Sequence, residues 1–155
     1  MTDVDLDVAV ADEHVRWAVY RRVIASLTAD SEHTAVAAIL RDPADLVARS
    51  AVVELVDTRA MQATDPAAFQ EWAAGLDLGD LAAVHQEFVR GRVHDWTVYL
   101  AVENGHTPTA AEIDGVTNRM QRLLAEHSTS QAVLAVLAET GRTRKIRNIA
   151  ANRIR

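Results

Sequence analysis

A helix pair built around an Asp-Pro corner constrains the fold more than any other feature of this sequence. Residues 31–57 read SEHTAVAAILRDPADLVARSAVVELVD. Asp42 is a good N-cap because its carboxylate can accept backbone N–H groups of the next turn, and Pro43 is tolerated at the first helical position. The apolar residues after the corner recur at the spacing of one helical face, at Leu46, Val47, Ala51, Leu55 and Val56. Both arms are too short to be stable alone, so we expect further helices to cover them.

The rest of the chain predicts more helices and no sheet. No long stretch alternates apolar and polar residues with a period of two, and each proline can begin a helix. The patterns favour helices over residues 12–27, 67–74, 80–103, 131–139 and 143–154, the third with a break near Gly91. A further helix begins near Thr107 and continues through Leu124, with Gly115 inside it. We therefore predict an all-α fold of seven to eight helices arranged as antiparallel pairs.

Composition and length indicate the number of domains and the cellular location. A chain of 155 residues with 49% hydrophobic and 25% charged residues is typical of one soluble domain, which we place at residues 11–155. Residues 1–10 alternate Asp with Val or Leu and predict an acidic, disordered lead-in, with a short docking arm as the alternative. The absence of cysteine excludes disulfides and thiolate metal sites. With no signal-peptide pattern and no apolar run of about 20 residues, we expect a cytoplasmic location and no membrane insertion.

Two stretches resemble the second helix of a HEAT repeat, in which a short turn, often begun by Asp, precedes Val-Arg, a small residue and Leu. The matching positions, each four residues apart, are Val47, Ala51 and Leu55 in the first copy and Ile146, Ala150 and Ile154 in the second. The first copy departs from the pattern because Ala48 follows Val47, and the turn before the second copy is longer and lacks Asp. The resemblance implies a HEAT-like right-handed superhelix of helix pairs, and an irregular helical bundle is the alternative.

The charge of the chain is unevenly distributed. Residues 142–155 contain six basic residues and no acid, so they carry +6, which leaves 10 basic and 22 acidic residues, or −12, for the remainder. A basic tail on an acidic chain attracts polyanions. Five of its residues are our candidate contacts to phosphate or to a protein partner: Arg142, Arg144, Lys145, Arg147 and Arg153. The alternative is that these cations complement the negative end of the helix dipole and the acidic remainder.

Two resemblances give this tail a place in nucleic-acid binding. Residues 131–154 loosely resemble a helix-turn-helix motif, with AETGRTRKI as the turn region. HEAT-like DNA glycosylases bind DNA with a basic concave face, so the HEAT resemblance also allows DNA as a partner.

Six histidines raise the possibility of a metal or acid–base site. Glu103 and His106 have the Glu-x-x-His spacing of ferritin-like metal sites, but Gly105 should end the helix and no second copy exists. His85 and His94 are nine residues apart and point to opposite sides of an unbroken helix. No Ser/His/Asp order or phosphate-binding loop is present. We therefore predict no metal and no cofactor.

These observations leave three hypotheses for the function. The leading one is a non-catalytic helical-repeat scaffold that binds a protein partner. The alternative is a nucleic-acid-binding protein that uses the basic C-terminal helix. The third is a helical-bundle enzyme or small-ligand binder built around His85, His94 or Trp96, for which no motif gives positive support, so enzymatic activity stays open but disfavoured.

Overall fold

The computed structural model describes residues 12–155, which form nine α-helices and no β-strand. The helices are α1 (Glu13–Ala25), α2 (Ala29–Leu40), α3 (Asp45–Gln62), α4 (Pro66–Ala74), α5 (Ala83–Glu103), α6 (Ala110–Asp114), α7 (Asn118–His127), α8 (Gln131–Thr140) and α9 (Arg144–Arg153). The prediction of an all-α fold is confirmed, and the HEAT-like superhelix stays a prediction. The predicted lead-in at residues 1–10 lies outside the described residues. None of the helices between residues 12 and 155 is long and apolar enough to cross a membrane.

Contacts divide the described chain into two units. The first comprises residues 12–61 and 73–90, and the second comprises residues 62–72 and 91–155. In the first unit, α2 and α3 carry a core in which small and branched side chains alternate. Its most deeply buried members are Ile39, Ala48, Ala51, Val52, Leu55 and Val56. The apolar stripe predicted for α3 is therefore buried at Val47, Ala51, Leu55 and Val56, whereas Leu46 is 60% exposed.

A buried ionic cluster fixes the Asp-Pro corner of the first unit. Asp42 Oδ2 accepts hydrogen bonds from Arg16 Nε at 2.8 Å and from the Tyr20 hydroxyl at 2.7 Å. Its other oxygen accepts from the Ala44 backbone N–H at 2.9 Å. All donors and acceptors of the cluster are buried or half-buried. Burial is the larger cause, and the hydrogen bond to Asp42 the second cause, of a pKa of Tyr20 above its ordinary value. The cluster ties the corner to α1.

Asp42 does not cap α3 in the way the sequence predicts. Helix α3 begins at Asp45, so Pro43 lies in the turn before the helix and not at its first position. The reason is that one carboxylate oxygen of Asp42 is engaged by α1, and the other closes the turn at Ala44. At the second Asp-Pro pair the proline does begin a helix, as expected of each proline, because α4 starts at Pro66 and Asp65 accepts from the backbone N–H groups of Ala67 and Ala68.

The second unit has its core under the C-terminal helices. Helix α9 packs against α7 and α8, α7 packs against α8, and the short α6 packs against α8. The side chains with almost no exposed surface are Ile113, Val116, Met120, Leu124, Val133, Leu134 and Leu137. Ile146 and Ala150 of α9 join this core, so the apolar stripe of the last helix faces α7 and α8.

Two predicted helix boundaries are wrong. Helix α5 continues without a break through Gly91, because one glycine costs only about 1 kcal/mol in a helix of 21 residues. The single helix predicted across Gly115 is in fact two helices, since Gly115 ends α6 and Thr117 begins α7 as its N-cap. The buried Asp95 carboxylate fixes this break by accepting from the Thr117 backbone N–H at 3.0 Å and from its hydroxyl at 2.5 Å.

Candidate functional site

The same local signal begins each of the last three helices. Thr117, Ser130 and Thr143 are the N-caps of α7, α8 and α9, and each side-chain oxygen accepts the backbone N–H three residues later. Such caps satisfy amide groups that a helix leaves free at its start. Only three residues, 141–143, separate α8 from α9. The caps therefore fix where the basic C-terminal helix starts and which residues form its first turn.

Three of the five predicted basic contacts are bound to backbone carbonyls of their own unit. Arg142 Nη2 donates to the carbonyl oxygens of Asp114 and Val116 at 2.6 and 2.9 Å. Arg147 Nη1 donates to the Gly141 carbonyl at 2.7 Å, and Arg153 Nη1 donates to the Ala125 carbonyl at 2.7 Å.

These carbonyls lie at or near the ends of α6, α7 and α8, where the helix dipole is negative and cations are favourable. The three guanidinium groups therefore connect α9 and the turn before it to the C-terminal ends of α6, α7 and α8. Their positive charges are partly compensated inside the protein.

Arg144 and Lys145 are arranged differently. Both are exposed in the first turn of α9, and within residues 12–155 the Arg144 side chain has no hydrogen-bond or ion-pair partner. Lys145 lies close enough to Glu126 to contribute to the lowered pKa of that carboxyl group, although the hydrogen bond from Arg122 is the larger cause. Of the five predicted residues, these two have charges most available to an external anion.

An open cleft of about 470 Å³ lies beside Lys145, between one face of α7 and the first turn of α9. Its lining is Asn118, Arg119, Arg122, Leu123, Glu126, Thr143, Lys145 and Ile146. Arg122 Nε donates to Glu126 at 2.7 Å across one turn of α7. The cleft is therefore basic at both helix starts, and one carboxylate compensates its charge in part.

A buried glutamine holds the turn that leads into α9. Gln121 has no exposed surface, and its Nε2 donates to the Ile113 carbonyl at 2.9 Å. Its Oε1 accepts from the Arg142 backbone N–H at 2.9 Å. Sequence reasoning missed Gln121, and the available signal was a polar residue at a position where the α7 pattern requires an apolar one. This amide positions the turn that precedes the basic helix α9.

The histidines do not converge. Within residues 12–155, no three His, Asp or Glu side chains come close enough to hold a metal ion. His106 Nε2 lies 2.9 Å from the Glu112 carboxylate, which lowers the pKa of Glu112. Glu103, the other residue of the Glu-x-x-His pattern, is the last residue of α5. The helix therefore ends before Gly105, as the sequence predicts.

Trp96, the aromatic residue of the third hypothesis, is only 5% exposed. Its ring packs edge-on to Tyr99 with ring centroids 5.3 Å apart. It is therefore a core side chain and not an exposed anchor.

The fold and the site together define an all-α protein whose last three helices present two exposed cations at the start of the final helix. Comparisons with protein-family models, with curated proteins and with solved structures give no match to this chain.

Proposed function

We propose that the protein binds duplex DNA through the exposed face of α9. The observation that carries the proposal is the arrangement of α8 and α9, two ten-residue helices that pack together across a three-residue turn with α7 against both. Turns of three to four residues, often with glycine, join the helices of helix-turn-helix motifs, and here the turn begins with Gly141. In such motifs the second helix enters the major groove with its N-terminal residues first.

The charges at the start of α9 support the same function. The first turn has no acidic residue and carries Arg144 and Lys145. Cations at a helix N-terminus are opposed by the positive end of the dipole, so they do not stabilise this helix. Both the cations and the dipole favour an approaching phosphate. An exposed pair of cations at this place is therefore better explained by an anionic ligand than by helix stability.

Groove dimensions favour DNA over RNA. The B-DNA major groove is about 12 Å wide and admits an α-helix. The major groove of A-form RNA is deep and too narrow for side chains to read, and double-stranded RNA is bound mainly across its minor groove. A single exposed helix with cations at its N-terminal end fits the major groove of B-DNA.

The test is a comparison of two double variants that change the net charge equally, each from −6 to −8 because two cations are removed. One is Arg144→Ala/Lys145→Ala. The control is Arg22→Ala/Arg41→Ala, which removes two exposed arginines from the first unit that have no side-chain partner among the described residues. Binding of a random-sequence duplex is measured by fluorescence anisotropy across a salt series.

We expect wild-type affinity to fall steeply with salt, and the α9 variant to lower the slope of log K against log salt by about 2, at about 0.9 per lost phosphate contact. The control should keep the wild-type slope. Equal slopes in all three proteins, or no duplex binding at low salt, would contradict the proposal. A preference for double-stranded RNA over DNA would contradict the groove argument.

We also propose a second candidate, a protein-binding scaffold, because the first unit exposes an apolar surface. Leu46 of α3 and Val84 and Phe88 of α5 are 60%, 66% and 47% exposed. The Arg49 guanidinium lies 4.2 Å from the Phe88 ring centroid, and Leu46 is one turn before Arg49 on the same face of α3. Aromatic and arginine side chains are enriched in protein interfaces.

This second candidate is tested by affinity capture with Val84→Ser/Phe88→Ser against a control, Met61→Ser, which removes an apolar side chain that is 77% exposed. A partner should be retained by the wild type and the control and lost by the double variant, and the purified partner should then bind the wild type in isolation. Retention by all three proteins would refute this surface as the contact.

A further inference from the structure

The exposed face of α9 has an unusual composition. Helix α9 buries Ile146 and Ala150 and half-buries Arg147, Ile149 and Arg153. The residues that stay exposed between residues 144 and 152 are Arg144, Lys145, Asn148, Ala151 and Asn152. Lys145, Asn148 and Asn152 follow an i, i+3, i+7 spacing and form one stripe. This stripe contains no acid, although the chain has 22 acidic residues.

The two asparagines have no structural role that the fold explains. They are two of only four asparagines in the chain, and within the described residues neither side chain has a hydrogen-bond partner. Asparagine is less favourable than alanine inside a helix, because its short amide competes with the backbone for hydrogen bonds. Two asparagines without a protein partner on one exposed helix face leave both amides open to a ligand.

We propose that Asn148 and Asn152 read adenine bases in the major groove, so that the DNA bound by α9 is recognised by sequence. An asparagine amide can donate to adenine N7 and accept from its N6 amino group, the pairing that suits no other base. Ala151 between them is small enough to allow close approach and suits contact with a thymine methyl group. Arg144 and Lys145 at the start of the helix lie near the backbone or a guanine. This inference rests on the proposed DNA-binding function.

The helix geometry sets the spacing of the site. Asn148 and Asn152 are four residues apart, which is about 6 Å along the helix axis at 1.5 Å per residue. Successive base pairs of B-DNA are about 3.4 Å apart. The two amides therefore reach bases about two steps apart, and we expect a site with two A·T pairs at that separation.

The experiment uses the full chain. Wild-type protein selects sites from a random-sequence duplex library, and affinities are then measured for the selected duplex and for duplexes with each adenine changed to guanine. The variants are Asn148→Ala, Asn152→Ala and, as a control away from α9, Asn104→Ala, which removes an exposed asparagine just after α5 whose amide donates to the Leu100 carbonyl at 2.8 Å. The slope of log K against log salt is measured for all four proteins.

We expect the wild type to prefer its selected duplex by about 5- to 150-fold at each adenine position, the range that one bidentate contact gives. Asn148→Ala should reduce the preference at one adenine to about twofold or less, Asn152→Ala should do the same at the other, and neither should change the salt slope. Asn148→Ala should also raise the melting temperature by about 1–2 °C, because alanine is the better helix former. Asn104→Ala should keep the full preference.

The possible failures are distinguishable. Binding with no selected sequence, or a preference that both asparagine variants retain, would overturn the base-reading inference and leave the DNA-binding proposal standing. No duplex binding by the wild type at low salt would overturn both. A lower melting temperature in Asn148→Ala would show that the amide has a structural role and would also overturn the inference.

Discussion

Replacing Gln121 by leucine should destabilise the protein although leucine fills a similar volume. Gln121 is fully buried and satisfies the Ile113 carbonyl and the Arg142 backbone N–H, each at 2.9 Å. A buried polar group left without its partner costs about 1–3 kcal/mol. The Ile113 carbonyl is buried and the Arg142 amide is partly buried, so we expect a loss of about 2–4 kcal/mol in the free energy of unfolding. With an m-value of about 2 kcal/mol per molar urea, the midpoint falls by about 1–2 M.

Gln121→Glu is a second test of the same contacts, because it replaces the amide by a carboxyl group of nearly the same size. Ionised, one glutamate oxygen would face the Ile113 carbonyl oxygen in place of the amide donor. When the carboxyl group is protonated, its hydroxyl can donate to that carbonyl. Burial and this contact raise the folded-state pKa of the new glutamate above its unfolded value of about 4.3. Stability is then highest below the unfolded pKa and is lost as the pH rises through the folded pKa.

Urea unfolding at about pH 4.5 and pH 7.5 measures both effects against wild type. The penalty of Gln121→Glu should be larger at the higher pH. Gln70→Leu and Gln70→Glu change an exposed glutamine of α4 and should stay within about 0.5 kcal/mol of wild type. A Gln121→Leu loss below about 0.5 kcal/mol, or a Gln121→Glu penalty that does not depend on pH, would show that the buried amide does not stabilise this turn.

Three further changes test the fold. Asp42→Ala should cost about 3–5 kcal/mol in urea unfolding because it leaves Arg16 buried and unpaired, and a loss below about 1 kcal/mol would contradict this. Tyr20→Phe should cost about 1.5–3 kcal/mol at neutral pH. Since the folded-state pKa of Tyr20 is raised, its contribution is fully present below about pH 10 and is lost progressively as the pH rises from there through the folded-state pKa. The difference from wild type should therefore shrink in alkaline urea titrations. Gly141→Ala should lower the melting temperature because its Cβ would lie 2.6 Å from a backbone oxygen, whereas Gly91→Ala, with no atom within 4 Å, should raise it.

The parts of the fold that follow local rules could be predicted from the sequence. The Asp65-Pro66 start of α4 and the Ser130 cap of α8 depend only on residues within one turn. The Thr143 cap of α9 is equally local, although the pattern predicted a helix that includes Thr143. The expected break at Gly91 failed because one glycine costs a long helix little. The other two errors occur where a distant side chain engages the same group. Arg16 and Tyr20 engage Asp42 from 26 and 22 residues away and shift the start of α3. Asp95 engages Thr117 from 22 residues away and divides one predicted helix into two.

In the candidate site, too, the sequence could not predict contacts between distant residues, here those of the basic side chains. The sequence places Arg142, Arg144, Lys145, Arg147 and Arg153 in one basic segment, and nothing local distinguishes them. The structure separates them, because three guanidinium groups reach carbonyls at 6 to 28 residues' separation, whereas Arg144 and Lys145 make no such contact among the described residues.

A positive segment can therefore stabilise a fold and bind a ligand with different residues. Arginine suits the first role, since its planar group can donate to two carbonyls at once, as Arg142 does. Replacing all five cations together would unfold the turn and abolish any binding, so such an experiment could not distinguish a DNA contact from a structural one. Only Arg144 and Lys145, together with the two asparagines of α9, can be changed to test recognition while the carbonyl contacts that hold the three helices stay in place.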